Sequence, residues 1–548
     1  MDINLDIKKN INKMKQIGYI LLIILCTGCS DDFLTRDHPT GITDQDFWKT
    51  TNDAVNALNS CYGGLPHGGY HYTEPYVSNV ALEGMTDNMY HSGNYLGDAK
   101  TIGTGTNNPL LNFPEDMWRA YYQYIRRCSR FIENIDKPYF TDEGERQRMI
   151  GEAHILRAYY HLQLFFYFGG NEGIPIVDHS LNPDEIFMAR ATKEESVDFI
   201  LAELDKAISI QALPNKYNED KSWRMSKAVA YSLKAIVALQ AKRYEVARES
   251  SLKIIEMQQF SLFHTSDPEQ LHYRDLFRYI GKINNERIMY TRNGFTESWF
   301  RSMPKSMGGQ GASNPTASIV NAYETLEGKT IDEYGSDREE FIKNPDFMKR
   351  DPRLDATIWL PGKSFTGHVL TPFDSNSDDA ISVSGASKTG FALTKFIDPE
   401  DVNKPYSGSL DYMIIRYAEI LLIYVESLIE SGDYNNPDVI FYLNKIRNRA
   451  GMPNVDETVY NSQEKVRELL RRERRVELAF EGQRYFDLRR WGIAKEQMPG
   501  VLEGAYDPIN KKPVVIETRV YSSPKNDYLP IPQRELDANE NMEQNAGW

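Results

Sequence analysis

Glu473-Arg474-Arg475-Val476-Glu477-Leu478-Ala479-Phe480-Glu481-Gly482, continued by Arg484-Tyr485-Phe486-Asp487-Leu488-Arg489-Arg490-Trp491, is the stretch on which the fold turns. Glu473 and Glu477 stand four apart, on one face of a helix, and two carboxylates so placed suggest the acid and base of a glycosidase. The surrounding charges oppose that reading. Arg471, Arg472, Arg474, Arg475, Arg484, Arg489 and Arg490 crowd the same segment, and nearby cations lower carboxyl pKa values and keep both groups ionised. A general acid needs the opposite shift. The segment therefore predicts a structural ion-pair network within a helical scaffold, not a reaction centre.

Helical periodicity extends outward from this stretch over 462–481, 435–450 and 411–431. Earlier in the chain, 145–168 aligns Met149, Ala153, Leu156, Tyr160, Leu164 and Tyr167 on one stripe, and Gly169-Gly170 stops it. Helices are also expected over 193–210 and 226–258, the latter broken near Ala241-Lys242-Arg243. Small residues at Ala230, Ala235, Ala238 and Ala247 let the two halves approach as a degenerate tetratricopeptide hairpin. A first helix is expected over 44–61, with Thr43 and Asp44 as candidate caps. The stretches 62–114 and 262–400 are instead rich in Gly, Pro, Ser, Asp and Tyr and read as ordered loops. The fold expected is mostly α: a helical-repeat scaffold, mainly 44–61, 115–260 and 411–495, with the loop-rich region packed on it in one body spanning 29–548. Short extended segments are expected in the tail beyond 515.

The 548 residues are 41% hydrophobic and 26% charged, which suits a globular protein with a sizeable core. A formal charge of −15 excludes a general nucleic-acid binder, which needs clustered Lys and Arg against phosphates. The ligand expected is neutral or weakly charged. Near the start, Lys8, Lys9, Lys13 and Lys15 precede an apolar run from Tyr19 to Leu25, too short to span a bilayer but suited to an export signal. Cys26-Thr27-Gly28-Cys29 then resembles the lipobox of bacterial lipoproteins, with cleavage after residue 28 and lipid on Cys29. Cys26 stands where an aliphatic residue is usual. Ser30, Asp31 and Asp32 resemble a surface-export signal of Bacteroidetes lipoproteins. Removing residues 1–28 takes away four Lys and two Asp and moves the formal charge to −17. Cys61 and Cys128 remain, and spacing does not decide between a disulfide and two buried thiols.

Other chemical patterns are weak. His67 and His71 are separated by Gly68-Gly69, which opposes helical metal-ligand geometry, and His154 and His161 fit packing better than ligation. Gly103-Thr104-Gly105 lacks the Lys-Ser/Thr end of a phosphate loop. No metal, cofactor or nucleotide is expected. A sugar platform needs rings that stack on pyranose faces beside amides, carboxylates and guanidinium groups that bind hydroxyls. Two loop regions offer that mixture: Asp87, Asn88, Tyr90, Asn94 and Tyr95, and Arg292, Asn293, Phe295, Trp299 and Arg301. They are expected to converge, with Trp299 and Tyr90 or Tyr95 stacking on the ligand, Asp87, Asn88 and Arg292 clamping it, and Phe295 nearby.

Arg416-Tyr417-Ala418-Glu419-Ile420-Leu421-Leu422, Asn444-Lys445-Ile446-Arg447-Asn448-Arg449-Ala450-Gly451 and the Glu473 to Trp491 stretch closely resemble the SusD/RagB family. So do Pro315-Thr316 ahead of Asn321-Ala322-Tyr323, Arg350-Asp351-Pro352-Arg353-Leu354, and Leu529-Pro530-Ile531-Pro532 with Gln544-Asn545. The resemblance implies a tetratricopeptide-like scaffold that sits as a lid on a SusC-like TonB-dependent outer-membrane transporter, with the ligand site in the irregular half and the loops near the first helices. The function expected is non-catalytic glycan capture by a lipid-anchored outer-membrane protein exposed at the cell surface. The competing expectations are peptide capture, as in RagB-like proteins, a surface glycoside hydrolase, and a scaffold that binds proteins alone.

Overall fold

Polar caps start several of the long helices. The structure is a computed structural model that describes residues 47–66, 79–93, 97–267, 269 and 271–548. The export signal, Cys29, His67, His71, Asn94 and Tyr95 lie outside the described residues. The first long helix, α1 (Thr51–Cys61), is capped by Thr50, whose side chain and Asp53 form a reciprocal capping box, while the expected caps Thr43 and Asp44 lie outside the described residues. α2 (Asn112–Asn134) follows, then α3 (Glu143–Leu164) behind the Asp142 cap and α4 (Lys193–Ser209) behind Thr192. α5 (Lys227–Gln240) and α6 (Tyr244–Glu256) make the expected hairpin, with Lys242 at φ +60° in the turn and Ala230, Ala235, Ala238 and Ala247 fully buried. Without larger side chains at these positions the helix surfaces can meet closely.

Each helix from α1 to α6 packs on the next, the stacking of a tetratricopeptide-like array. The array continues into α7 (Tyr417–Glu430), which packs against α5 and α6 and, on its other sides, α8 (Pro437–Arg449) and α9 (Gln463–Glu477). α7 is buried on every face from Tyr417 to Ile429, so its Ile and Leu run is the centre of the scaffold. α10 (Gln483–Arg490) comes after a break at Phe480 and Gly482, both at positive φ. The expected helix over 462–481 therefore ends at Glu477. Likewise 411–416 is strand, not helix: β8 (Leu410–Arg416) pairs antiparallel with β2 (Arg287–Phe295), because Tyr412 and Ile415 find cross-strand partners in Thr291 and Met289.

The loop-rich half contains only two-stranded sheets among the described residues. β1 (Met89–His91) pairs with β3 (Ser313–Pro315), β4 (Ile358–Trp359) with β7 (Ala392–Leu393), and β5 (Ser364–Phe365) with β6 (His368–Val369). In the tail, β9 (Gly500–Asp507) and β10 (Lys512–Arg519) form a hairpin. One apolar core runs from Trp48 to Ile531 and draws on both halves, while Trp299, Met303, Trp359, Leu370, Ala392 and Ile397 form a smaller core within the irregular half. Cys61 and Cys128 are free, buried thiols, and burial pushes the Cys128 thiol well up. Among the described residues no helix is long and apolar enough to cross a membrane.

Candidate functional site

The arginine-rich stretch folds as an enclosed charge lattice. Arg353, Lys395, Arg416, Arg447, Arg449 and Arg472 interlock with Glu286, Glu324, Asp351, Glu473, Glu477 and Glu481, six cations against six carboxylates. Burial alone would raise the pKa of Glu477, but Arg449, Arg416 and Arg353 outweigh it and bring the value down to about 2. Glu473 is also lowered, with Arg353 and Arg447 overcoming burial. Both carboxyls are ionised and sealed from solvent, but the cations that hold them are Arg353, Arg416, Arg447 and Arg449 from other segments, not the Arg crowd around them in sequence.

Asp87 and Asn88, expected as ligand clamps, belong to the interior instead. Asp87 is 6% exposed and accepts from Arg484 at 2.8 and 2.9 Å and from Arg475 at 2.9 Å. Burial would raise its carboxyl, yet Arg475 and Arg484 hold it well below the usual carboxylate range. Asn88 donates to Glu83 at 2.7 Å and accepts from Arg475 at 2.8 Å. Trp299 is 1% exposed, donates its indole N–H to Met307 O at 2.9 Å and fills the smaller core, so it presents no free ring face. Phe295 is likewise buried, stacked on Phe396 with ring centroids 4.6 Å apart. Tyr90 is partly exposed, with its hydroxyl accepting from Lys100 and the ammonium over its ring.

Of the predicted residues, Arg292 does reach the surface. It donates to Glu219 O and Asp220 O at 2.9 Å each, and its guanidinium lies over Trp223. Beside it Asn293, at φ +51°, accepts from Lys282 at 2.8 Å, and Lys282 also donates to Ser409 O at 2.6 Å. The two predicted regions meet through β3: Ser92 N donates to Ala312 O, and Ala312 N donates to Arg301 O at 2.8 Å.

A ring pair also reaches the surface, half-buried Phe300 against exposed Tyr406. Phe300 sits one residue after Trp299 in the short helix Ser298–Ser302, so the two side chains diverge by about 100° and Phe300 turns outward. Its ring centroid is 4.3 Å from that of Tyr406, which is 55% exposed. Phe300 N donates to Pro405 O at 3.2 Å and Gly408 N to Thr296 O at 2.8 Å, which fixes the loop carrying Tyr406. Arg301 lies over the Phe300 ring, is held by Glu297 at 2.8 Å and donates to Gln310 at 3.2 Å. Rings, a guanidinium and an amide thus share one surface. Tyr406 and Phe300 were not singled out in the sequence, although Pro405-Tyr406-Ser407-Gly408 is the kind of turn that displays an aromatic residue.

A stacked-helix scaffold that carries an aromatic and polar surface on an irregular half defines a class of helical-repeat binding proteins. The family profile described as SusD family matches residues 276–548, and a second, described as starch-binding associating with outer membrane, matches 43–239. This chain belongs to the SusD family. SusD-like protein P2 of Formosa agariphila is 25% identical over 559 residues, covering 98% of this chain and all of that protein. P38 from the same organism is 24% identical and covers 89% of this chain and 93% of its own length. A SusD-like carbohydrate binding protein of Bacteroides fragilis superposes with a TM-score of 0.80 at 27% identity, covering 91% of this chain and 100% of that one.

Proposed function

We propose that this chain captures a glycan at the outer membrane on the surface around Phe300 and Tyr406 and delivers it, uncut, to a SusC-like TonB-dependent transporter. The observation that carries the reading is the ring pair of half-buried Phe300 and exposed Tyr406 beside Arg301 and Gln310. Ring faces take the apolar side of a pyranose, and the polar neighbours supply donors and acceptors for its hydroxyls. Membership of the SusD family and the carbohydrate-binding description of the Bacteroides fragilis relative support glycan as the ligand class. The starch-binding, outer-membrane description of the second profile supports the location. Lipid on Cys29 would supply the tether, since each buried acyl methylene contributes about 0.8 kcal/mol. The paired carboxylates Glu473 and Glu477 are poor candidates for hydrolysis because both are ionised and enclosed.

Affinity electrophoresis of the purified chain in gels containing soluble polysaccharides tests the proposal. Retardation by at least one polysaccharide, reduced in Tyr406→Ala and without product after long incubation, is the expected result. Retardation that is unchanged in Phe300→Ala and Tyr406→Ala refutes the placement of the site. Release of oligosaccharides refutes the non-catalytic role.

A further inference from the structure

A cavity of about 770 Å³ opens where the scaffold meets the irregular half, away from the Phe300 and Tyr406 pair in sequence. Its wall is assembled from the helix His272–Leu276, the residue Arg278, the helix Pro352–Thr357, the β5–β6 turn and the end of α8 through Gly451. Its volume lies within the range of small-molecule sites.

The charges on that wall are not all neutralised. Arg274 is occupied, donating to Asp275 at 2.9 Å and to Glu269 at 3.3 Å. Arg449 is held by Glu286 at 2.9 Å and by Glu477, although its Nε is sealed and meets no hydrogen-bond partner among the described residues. Asp355 is balanced by Lys363 at 3.4 Å. Arg278 differs: its partly buried guanidinium makes no hydrogen bond or ion pair with any described residue. The carboxylates nearest to it in effect are engaged elsewhere, Asp398 by Tyr279 N and Glu400 N, Asp275 by Arg274. Burial lowers the Arg278 pKa, the mark of a cation partly stripped of water. His272 adds a second donor. Its Nδ1 accepts from Thr265 N at 3.1 Å, which places the ring proton on Nε2. Phe365, Leu271 and Pro399 supply apolar wall between these polar groups.

We propose that this cavity is a second binding site, specific for an organic carboxylate of disaccharide or dipeptide size, with Arg278 as its anion clamp and His272 as an additional donor. A carboxylate offers the guanidinium the charge-assisted, two-oxygen partner that it lacks among the described residues. The apolar wall favours a ligand with a compact body over a bare inorganic anion. A uronic-acid residue and a peptide C-terminus share this chemistry, and the site stands independently of the ring-lined surface.

Isothermal titration of the full chain at low salt tests the inference, with digalacturonate and N-acetyl-Ala-Phe as probes and digalactose and N-acetyl-Ala-Phe amide as their neutral counterparts. At least one carboxylate probe should saturate while its neutral counterpart does not. Its affinity should fall about tenfold or more in Arg278→Ala and be unchanged in Tyr406→Ala, which separates this cavity from the glycan surface. Uronate binding alone identifies a sugar source, and peptide binding alone a peptide source. If Arg278→Ala unfolds, protection of Arg278 from phenylglyoxal by the probe, mapped on the native chain by mass spectrometry, gives the same answer. Failure of both carboxylates to saturate, equal binding of the neutral counterparts, retained affinity in Arg278→Ala, or no protection of Arg278 overturns the proposal.

Discussion

Replacing Arg416 by Met removes one cation from a lattice in which six face six carboxylates. Arg416 is 1% exposed and donates five hydrogen bonds of 2.7 Å, to Glu286, to Glu477 through side chain and backbone, and to both oxygens of Glu481. After the substitution Lys395 still holds Glu481, Arg449 still holds Glu286, and Arg353 and Arg449 still hold Glu477. One negative charge is nevertheless left without compensation in a site closed to water. Breaking a buried pair in this way costs about 3–5 kcal/mol, a large share of the roughly 5–15 kcal/mol by which folded proteins are stable. Urea unfolding followed by tryptophan fluorescence at pH 7 should show a loss of that size. The loss should also depend on pH. In the parent, the folded-state pKa of Glu477 lies below its unfolded value, so its contribution is present above about pH 4.5 and lost as pH falls towards about 2. Without Arg416 that pKa rises, less stability is lost in acid, and the gap between parent and variant narrows from pH 7 to pH 3. A variant within about 1 kcal/mol of the parent at pH 7, or a gap that does not narrow in acid, refutes the assignment of this lattice as a stabilising framework.

Four further outcomes follow from named contacts. Burial raises the Glu419 carboxyl to about 7, so this group destabilises the fold as pH rises from about 4.5 to 7, and Glu419→Gln should flatten stability across that window in a pH series of melting curves. Phe300→Ala and Tyr406→Ala should each weaken glycan binding by about 1–2 kcal/mol, roughly five- to thirtyfold, with little change in melting temperature. Trp299→Ala should instead destabilise the chain by about 3–5 kcal/mol through an internal cavity, which thermal unfolding reads directly. Thr50→Ala should cost about 1 kcal/mol by removing the α1 capping box, measured by the same assay.

Much of the scaffold was legible because its signals are local or chemically one-sided. The Ala residues of 226–258 dictate a close hairpin. Glu473 and Glu477 are ionised, as expected, but by Arg353, Arg416, Arg447 and Arg449 and not by the Arg crowd beside them. Helix ends were less legible: nothing in 411–416 announces a strand until β2 is beside it, and Phe480 breaks a helix whose periodicity runs on. The candidate site was legible as a region and not as a set of residues. Asp87 and Asn88 have the composition of a sugar clamp, yet Arg475 and Arg484, almost 400 residues away, claim them first. Trp299 offered the larger ring, but it is buried while its neighbour Phe300 is only half-buried, against exposed Tyr406.

Residue type and short-range spacing determined by themselves that the chain would stack helices and resemble the SusD family, because those properties need only neighbours one or two turns away, whereas the charge lattice is assembled from Arg353, Arg416, Arg447 and Arg449, which only the fold brings to Glu473 and Glu477. Which aromatic faces solvent, which carboxylate is already bound to an arginine, and that Arg278 shares a cavity with Leu271, Phe365 and Pro399 were decided only by the tertiary structure. Exposure and pairing depend on what distant parts of the chain place against a side chain, and no local pattern encodes that.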